Sequence, residues 1–168
     1  MAQALVDFWS GLKKGDVHKQ WTFGYAQGLL SKGLVNIEPF RTPITNFLTK
    51  DLVRNVTITL TDYNDGSPAY FDETTPKEML ADVLLASSSV AGFHAFQSFN
   101  NSNYGDGSLI FLSDIGSVVT RCRKIVDDDT KIIVDIIQPL FNEIDLDPMT
   151  GEEVTFDIIG RTLKIYLY

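Results

Sequence analysis

The clearest alternation of apolar and polar positions along the chain lies in residues 55–63. Val56, Ile58 and Leu60 alternate with three threonines, and the β-branched side chains reinforce this two-residue period. An Asn-Asp-Gly sequence follows directly, and this composition favours a tight turn. The pattern therefore predicts a strand over 55–63 that returns as a second strand over 68–71.

Other segments carry apolar residues at helical spacing. The local signals agree best over 74–87. There Thr75 is the expected N-cap, Pro76 the first helical residue and Glu78 the partner of Thr75 in a capping box. Further helices or helical turns are predicted over 2–14, 21–35, 40–52, 114–125 and 151–168.

Residues 131–139 form a nearly continuous run of aliphatic side chains. A strand that is covered on both faces has this composition. Such a strand among several helices favours a layered α/β domain over a helical bundle or a β-sandwich. Because the chain shows no repeat and no interdomain linker, residues 1–168 are expected to form a single domain.

The charge of the chain narrows the classes of partner. Its 22 acidic and 14 basic residues give a formal charge of -8 at pH 7. Such a surface repels phosphate backbones and anionic lipid headgroups, so no nucleic-acid partner is expected. The acidic triplet at residues 127–129 is interpreted as a solvated loop rather than a cation site, and no metal or other cofactor is expected.

The cysteine content and the amino-terminal sequence indicate the cellular compartment of the protein. Cys122 is the only cysteine, which fits a reducing compartment and excludes an intrachain disulfide. Its helical context favours a core position over a reactive thiol. The first residues resemble neither a secretory signal nor a transit peptide, and no apolar run approaches the roughly 18 residues of a membrane span. An intracellular, cytoplasmic protein without a transmembrane segment is therefore expected.

Two segments are candidates for chemistry. The predicted helix over 74–87 runs into three serines at 87–89, and an Asp-Gly turn follows at Asp106. Serines at a helix end most often bond to free backbone groups, and an Asp-Gly turn needs no chemistry, so both have a structural interpretation as well. His94 is interpreted as a polar contact rather than a base. Three phenylalanines fit either the core or an acyl pocket: Phe93, Phe96 and Phe99.

In this order the segments resemble the patatin-like phospholipases, whose helix ends in Ala-Ser-Ser-Ala-Ile-Pro-Gly-Phe. Alanine, proline and isoleucine of that pattern are replaced here by Ser89, Ala91 and Val90. The residues that match the helix-end motif are Ala86, Ser87, Ser88, Gly92 and Phe93.

The family's second element is an Asp-Gly-Gly or Asp-Gly-Ala turn. Asp106 and Gly107 match it, and Ser108 stands in place of the last residue. The flanking segments over 9–17, 33–48 and 56–71 are similar to family elements in the same order, so the resemblance covers nearly the whole chain.

The resemblance implies a Ser-Asp dyad in which Asp106 is the base. The family's serine lies in a Gly-x-Ser-x-Gly elbow, and a glycine-rich loop stabilises the oxyanion. The 168 residues contain neither sequence. The implied fold is therefore a three-layer patatin-like α/β sheet with flanking helices, incomplete because it lacks the strands that carry the oxyanion loop and the elbow.

The expected function is that of a lipid acyl hydrolase family member, of phospholipase type, that carries only the Asp half of the site. Alone, this chain is expected to be inactive. Two alternatives stay open, a non-catalytic structural subunit of a larger assembly and an unrelated α/β binding module. The missing strands imply a partner, either another polypeptide that completes the sheet or neighbouring subunits, in addition to a lipid substrate.

Overall fold

A computed structural model describes residues 2–49 and 54–137. The chain divides into two compact units, residues 1–132 and 133–168. Of the second unit only residues 133–137 are described. The helices and strands below all belong to the first unit.

The described residues form a mixed α/β structure of six α-helices and four β-strands. The helices are α1 (Ala2–Gly11), α2 (Lys14–Val17), α3 (Gly24–Leu30), α4 (Arg41–Phe47), α5 (Lys77–Ser87) and α6 (Ile115–Cys122). The strands are β1 (Thr57–Asp62), β2 (Pro68–Asp72), β3 (Gln97–Phe99) and β4 (Ser102–Asp106). Short 3-10 turns cover Glu38–Phe40, Gly107–Leu109 and Asp129–Lys131.

The four strands form one antiparallel sheet in the order β2-β1-β4-β3. The predicted hairpin is confirmed, because Leu60 of β1 lies opposite Ala69 of β2. Its turn contains Gly66 at a φ of 78°, a conformation that glycine adopts without the Cβ strain of other residues. The α/β class is confirmed, and the strands that build the sheet are antiparallel.

The hairpin of β3 and β4 lies where the sequence pattern indicated only a polar loop. Asn100 and Asn101 join the two strands, with φ values of 49° and 59°. A two-residue turn with both φ angles positive matches the twist of a hairpin, and asparagine tolerates it better than most residues. The Asn-Asn pair therefore indicates a hairpin turn, whereas strand propensity alone does not indicate the strands on either side of it.

The strand predicted over 131–139 is wrong for the residues that the structure describes. Lys131 ends a 3-10 turn, and residues 132–137 form neither helix nor strand. Ile133 and Ile137 are 88% and 92% exposed instead of covered. An aliphatic run becomes a strand only where a neighbour satisfies its backbone groups, so an aliphatic composition alone does not produce one. Residues 138–139 and the helix predicted over 151–168 lie outside the described residues.

Two predicted helix ends also differ from the structure. The helix expected over 2–14 stops at Gly11, and a separate turn of helix begins at Lys14. At α5 the N-cap is Pro76 rather than Thr75, and no side chain caps this helix. The Thr75 hydroxyl accepts the N–H of Asp72 instead (3.1 Å), so the capping box with Glu78 does not form.

Helix α5 is covered on two opposite faces. On one face Ala81 and Leu85 join a cluster with buried residues of the Glu38–Phe40 turn and α4. On the other, Val83 and Ala86 pack against Leu60 and Tyr104 of the sheet. A helix with apolar side chains on two opposite faces is stable only when both faces are buried, which makes α5 the middle layer between helices and sheet.

Helix α6 is tied to the first hairpin by polar contacts. The Asp114 carboxylate accepts the N–H of Ser117 (3.0 Å) and the hydroxyl of Thr59 (2.9 Å), so one side chain both caps α6 and bonds to β1. Arg121 donates to the Val56 carbonyl (2.8 Å) and lowers the pKa of Glu73 to about 2 by hydrogen bonding. Cys122, at the end of this helix, is only partly buried.

Gly107 allows β1 and the turn after β4 to approach each other closely. An ideal Cβ built at Gly107 would lie 2.2 Å from the Thr59 carbonyl oxygen, a backbone atom that cannot move aside independently. Gly15 in α2 has nothing within 4 Å of the same position. A methyl group therefore has room at Gly15 but not at Gly107.

We expect Gly107→Ala to lower the free energy of unfolding by about 1–3 kcal/mol or more, because the methyl group overpacks the strand. The control Gly15→Ala is expected to leave stability unchanged or to raise it by up to about 1 kcal/mol, since alanine is the better helix former. Urea denaturation followed by circular dichroism measures both. Equal stability of the two variants would contradict the close approach.

Candidate functional site

The structure brings the end of α5 and the Asp-Gly turn into direct contact. The Asp106 N–H donates to the carbonyl of Ser89 (3.1 Å), two residues beyond the last residue of α5. The Thr61 hydroxyl on β1 donates to the Asp106 carbonyl (2.9 Å). Both backbone groups of Asp106 are thus held, one by the helix end and the other by the central strand.

The Asp106 side chain is fixed on one oxygen only. Its Oδ1 accepts the N–H of Ser108 (2.8 Å), as expected for an aspartate that begins a tight turn. Within residues 2–49 and 54–137, no hydrogen bond to Oδ2 is present. The partly buried carboxylate therefore has a fixed orientation and one oxygen available to accept a proton.

The same tripeptide occurs twice in the chain in different surroundings. Asp65 also begins an Asp-Gly-Ser sequence, and its Oδ1 accepts the N–H of Ser67 (2.9 Å). Yet Gly66 has open space around it and Asp65 is exposed, whereas Gly107 is buried against β1. Only the second copy is built into the sheet beside the end of α5.

The serines that follow α5 serve its carbonyl groups. The Ser88 hydroxyl donates to the Leu84 carbonyl (3.0 Å), and the Ser89 hydroxyl to the Leu85 carbonyl (2.7 Å). Ser89 is 1% exposed. Their interpretation as partners of backbone groups is confirmed, and Ser87 is partly buried in the last turn of the helix.

The remaining matched residues continue from the helix into a loop. Ala86 is fully buried against the sheet. Gly92 has a φ of 78°, so glycine avoids strain at this point. The Gly92 and Phe93 carbonyls accept the N–H groups of Leu34 (3.4 Å) and Val35 (2.9 Å), which fixes this loop against the segment after α3.

His94 and Tyr63 lie within electrostatic reach of Asp106. Burial and then the neighbouring His18 lower the pKa of His94, and the opposing effects of the Ser88 backbone and the Asp106 charge are smaller. Burial, then the charge of Asp106, raises the pKa of Tyr63. The His94 Nδ1 accepts the Val90 N–H (3.2 Å), and no hydrogen bond joins His94 to Asp106 in the described part of the chain. The polar-contact interpretation of His94 agrees with these bonds.

A cleft of about 340 Å³ lies next to Tyr63 and His94, and Asp106 is not among its lining residues. Tyr63, His94 and Phe96 line one part of it, and the backbone around Gly28 and Gly33 lines another. Tyr63 and the segment after α3 lie in flanking segments of the resemblance, 56–71 and 33–48, for which no chemical role was predicted. The pairing of Val35 with the loop after α5 brings the segment after α3 beside His94.

The three phenylalanines considered for an acyl pocket have different positions. Phe99 packs against Tyr104 with ring centroids 4.6 Å apart, so it belongs to the core beside the sheet. Phe96 is partly exposed and contacts Tyr63, with centroids 6.0 Å apart. Phe93 is partly buried in the loop. Only Phe96 lines the cleft.

A larger cleft of about 620 Å³ lies between β2 and α6. Asp106 is not among its lining residues. Asp114 caps α6, and Arg121 binds Glu73. These contacts account for Asp114 and Arg121 as supports of the fold.

Two aspartates of the acidic triplet at residues 127–129 make contacts that fix their side chains. Asp129 pairs with Arg123 (2.6 Å), and Asp128 accepts the N–H of Thr130 (3.0 Å). In residues 2–49 and 54–137, no group of three or more His, Cys, Asp or Glu side chains is arranged to hold a metal ion. The helices of the same residues are all too short or too polar to cross a bilayer.

The first unit is thus a mixed α/β structure in which an antiparallel sheet positions one aspartate at the end of a buried helix. Comparison of the chain with models of protein families, with curated proteins and with solved structures found no match. The function is therefore argued from the residues and their geometry.

We expect the stability of the protein to fall as the pH decreases through the ordinary His pKa of 6.5, because the folded state lowers the pKa of His94. Below that pH the unfolded chain binds the proton more readily than the folded one, so unfolding is favoured until the lowered folded pKa is reached. His94→Asn, which retains an acceptor for the Val90 N–H, is expected to flatten the melting temperature between about pH 5 and 7.5.

The variant His18→Asn provides the matched comparison. It removes one of the two causes of the lowered pKa and is expected to reduce the pH dependence without abolishing it. Thermal unfolding followed by circular dichroism measures all three proteins. A wild-type melting temperature that rises on acidification over this range would contradict the assignment.

Proposed function

We propose that this chain carries the aspartate half of a patatin-like lipid acyl hydrolase site, with Asp106 as the general base. The nucleophilic serine and the oxyanion loop are supplied from outside residues 1–168, either by an upstream segment of a longer product or by a partner. In this proposal the chain is a partial patatin-like domain that does not hydrolyse lipid esters by itself.

The observation that carries the proposal is the hydrogen bond from the Asp106 N–H to the Ser89 carbonyl (3.1 Å). It joins the two segments on which the family resemblance depends, although sixteen intervening residues separate them along the chain. The burial of Gly107 against β1 adds support, because it gives the turn a structural reason for glycine. The exposed copy of the tripeptide at Asp65 has no such contacts.

The chemistry follows from the free oxygen of the carboxylate. Asp106 would take the hydroxyl proton of the serine while the serine oxygen attacks the ester carbonyl, and it would return that proton to the departing alcohol. Water would then cleave the acyl-serine with Asp106 again acting as base. The oxyanion needs backbone N–H donors that the external loop would provide.

For residues 1–168 alone we expect no turnover of short-chain nitrophenyl esters above the buffer rate, because acyl transfer needs a positioned nucleophile. When the chain is joined to its native upstream sequence or partner, we expect hydrolysis. Asp106→Asn should then lower kcat by about 100-fold or more, since a general base contributes on this scale.

Asp65→Asn is the matched control, because it makes the same change in the exposed copy of the tripeptide. It is expected to leave kcat unchanged. Activity of residues 1–168 alone that Asp106→Asn removes would mean that a nucleophile lies within the chain. Sequencing the 5' end of the native transcript tests the source of the serine: an in-frame Gly-x-Ser-x-Gly upstream of Met1 would assign it to a longer product, and a start at Met1 would favour the structural subunit.

The second candidate function is that of a non-catalytic subunit in a larger assembly. The supporting observation is that β2 and β3 each have one edge without a strand partner among the described residues. Such edges favour pairing with another chain. Ser108 and Ala91, which replace the usual glycine and proline of the family motifs, agree with relaxed catalytic constraints.

We expect the purified chain to sediment as an oligomer or to retain another polypeptide, because exposed strand edges and apolar faces are stabilised when they are covered. Sedimentation velocity at several concentrations measures this, and Tyr70→Lys on the edge strand β2 should weaken self-association. A compact, monodisperse monomer that melts cooperatively would contradict the expectation.

A further inference from the structure

Helix α3 and its N-cap residue Phe23 expose apolar side chains around much of the helix surface. Gly28 is buried, and an ideal Cβ there would lie 2.6 Å from the Leu34 carbonyl oxygen. At 100° per residue, Phe23 and Leu30 lie on the other side of the helix, seven positions apart. We call the exposed set the α3 face: Phe23 (80% exposed), Tyr25 (52%), Leu29 (62%) and Leu30 (93%).

The sequence segment that contains α3 has a charge opposite to that of the whole chain. Residues 8–37 contain four lysines and one acidic residue, Asp16. The Asp16 carboxylate accepts the N–H of Lys13 (2.9 Å), and residues 17–37 contain no carboxylate side chain. The total charge of -8 predicts that the chain repels anionic headgroups, but the local charge of this segment is positive and does not. The exposed lysines are Lys13, Lys14, Lys19 and Lys32.

Exposed aromatic and leucine side chains next to lysines are the composition of helices that lie in the plane of a bilayer surface. We propose that the α3 face binds anionic phospholipid bilayers. Phe23 and Leu30 enter the boundary between headgroups and acyl chains, and the lysines contact lipid phosphates. The surface lies on the membrane without crossing it, since α3 has only seven residues.

The α3 face is continuous with the cleft that Tyr63 and His94 line. Leu29 and Lys32 line this cleft together with Tyr63 and His94. Docking of α3 would thus place the cleft at the lipid surface, from which an ester could enter. This consequence rests on the proposed function, whereas bilayer binding itself follows from the α3 face and its lysines alone.

Co-sedimentation with vesicles tests the inference without any measurement of activity. We expect the wild-type chain to partition about tenfold more strongly into phosphatidylcholine vesicles with about 30% phosphatidylserine than into pure phosphatidylcholine vesicles. Raising the salt to about 0.5 M should weaken that preference. The double variant Phe23→Asp/Leu30→Asp should lower partitioning by about tenfold or more, because both apolar anchors are lost.

Ile125→Asp is the matched control, because Ile125 is also an exposed aliphatic residue (76%) and the change in charge per site is the same. It should bind as the wild type does. Asp106→Asn should also retain binding, so loss of hydrolysis and loss of docking can be distinguished. If the double variant fails to fold, Lys19→Gln/Lys32→Gln provides a second test and should reduce only the phosphatidylserine-dependent part.

Three results would overturn the inference. The first is a wild-type chain that stays in the supernatant with phosphatidylserine vesicles. The second is equal loss of binding in Ile125→Asp and in the folded double variant. The third is a wild-type dimer that the double variant dissociates while vesicle binding is absent, because the α3 face would then bind a second copy of this chain.

Discussion

Helix α5 carries apolar side chains on two opposite faces, and both must be covered for the helix to be stable in water. The sheet covers Val83 and Ala86, and the helices before β1 cover Ala81 and Leu85. Because the helix is held from both sides, the position of its last turn is fixed. Everything that follows it, including the Ser89 carbonyl that receives the Asp106 N–H, depends on this two-sided packing.

The candidate site shows how the surroundings of a short motif determine what it can do. Asp65 and Asp106 begin the same tripeptide and accept the same kind of backbone hydrogen bond. Only Asp106 also has its own N–H and carbonyl bound, by Ser89 and by Thr61. A carboxylate in an exposed turn can reorient with its loop, whereas one held by a helix end and a central strand has a defined direction. Positioning of this kind is what general-base chemistry requires.

Charge also acts locally in this molecule. The total of -8 argues against broad attraction to polyanions, yet the acidic residues are concentrated after residue 54. Four exposed lysines lie before that point, together with the exposed aromatic and leucine side chains of α3 and its N-cap. Screening in physiological salt limits the reach of a charge to roughly 8 Å, so a docking surface responds to its own neighbours more than to the distant acidic excess.

Periodicity and turn chemistry were sufficient wherever structure depends on near neighbours. They predicted β1, its return in β2 and the existence of α5, because alternation, an Asp-Gly turn and helical spacing are local properties. They did not predict the hairpin of β3 and β4, whose short, polar strands pair with each other and, through β4, with β1. Residues 132–137 of the strand predicted over 131–139 form neither helix nor strand, because aliphatic composition does not by itself supply a pairing partner.

The same distinction applies to the candidate site. The sequence by itself determined that Asp106, Gly107 and the serines after α5 occur in an order that resembles one family, and that no Gly-x-Ser-x-Gly accompanies them. Only the tertiary structure decided that Asp106 meets Ser89, that Gly107 lies against Thr59 and that Tyr63 and His94 are neighbours of the carboxylate. These are contacts between residues far apart in the chain, and their free energy depends on the packing of α5 against the sheet rather than on any local pattern.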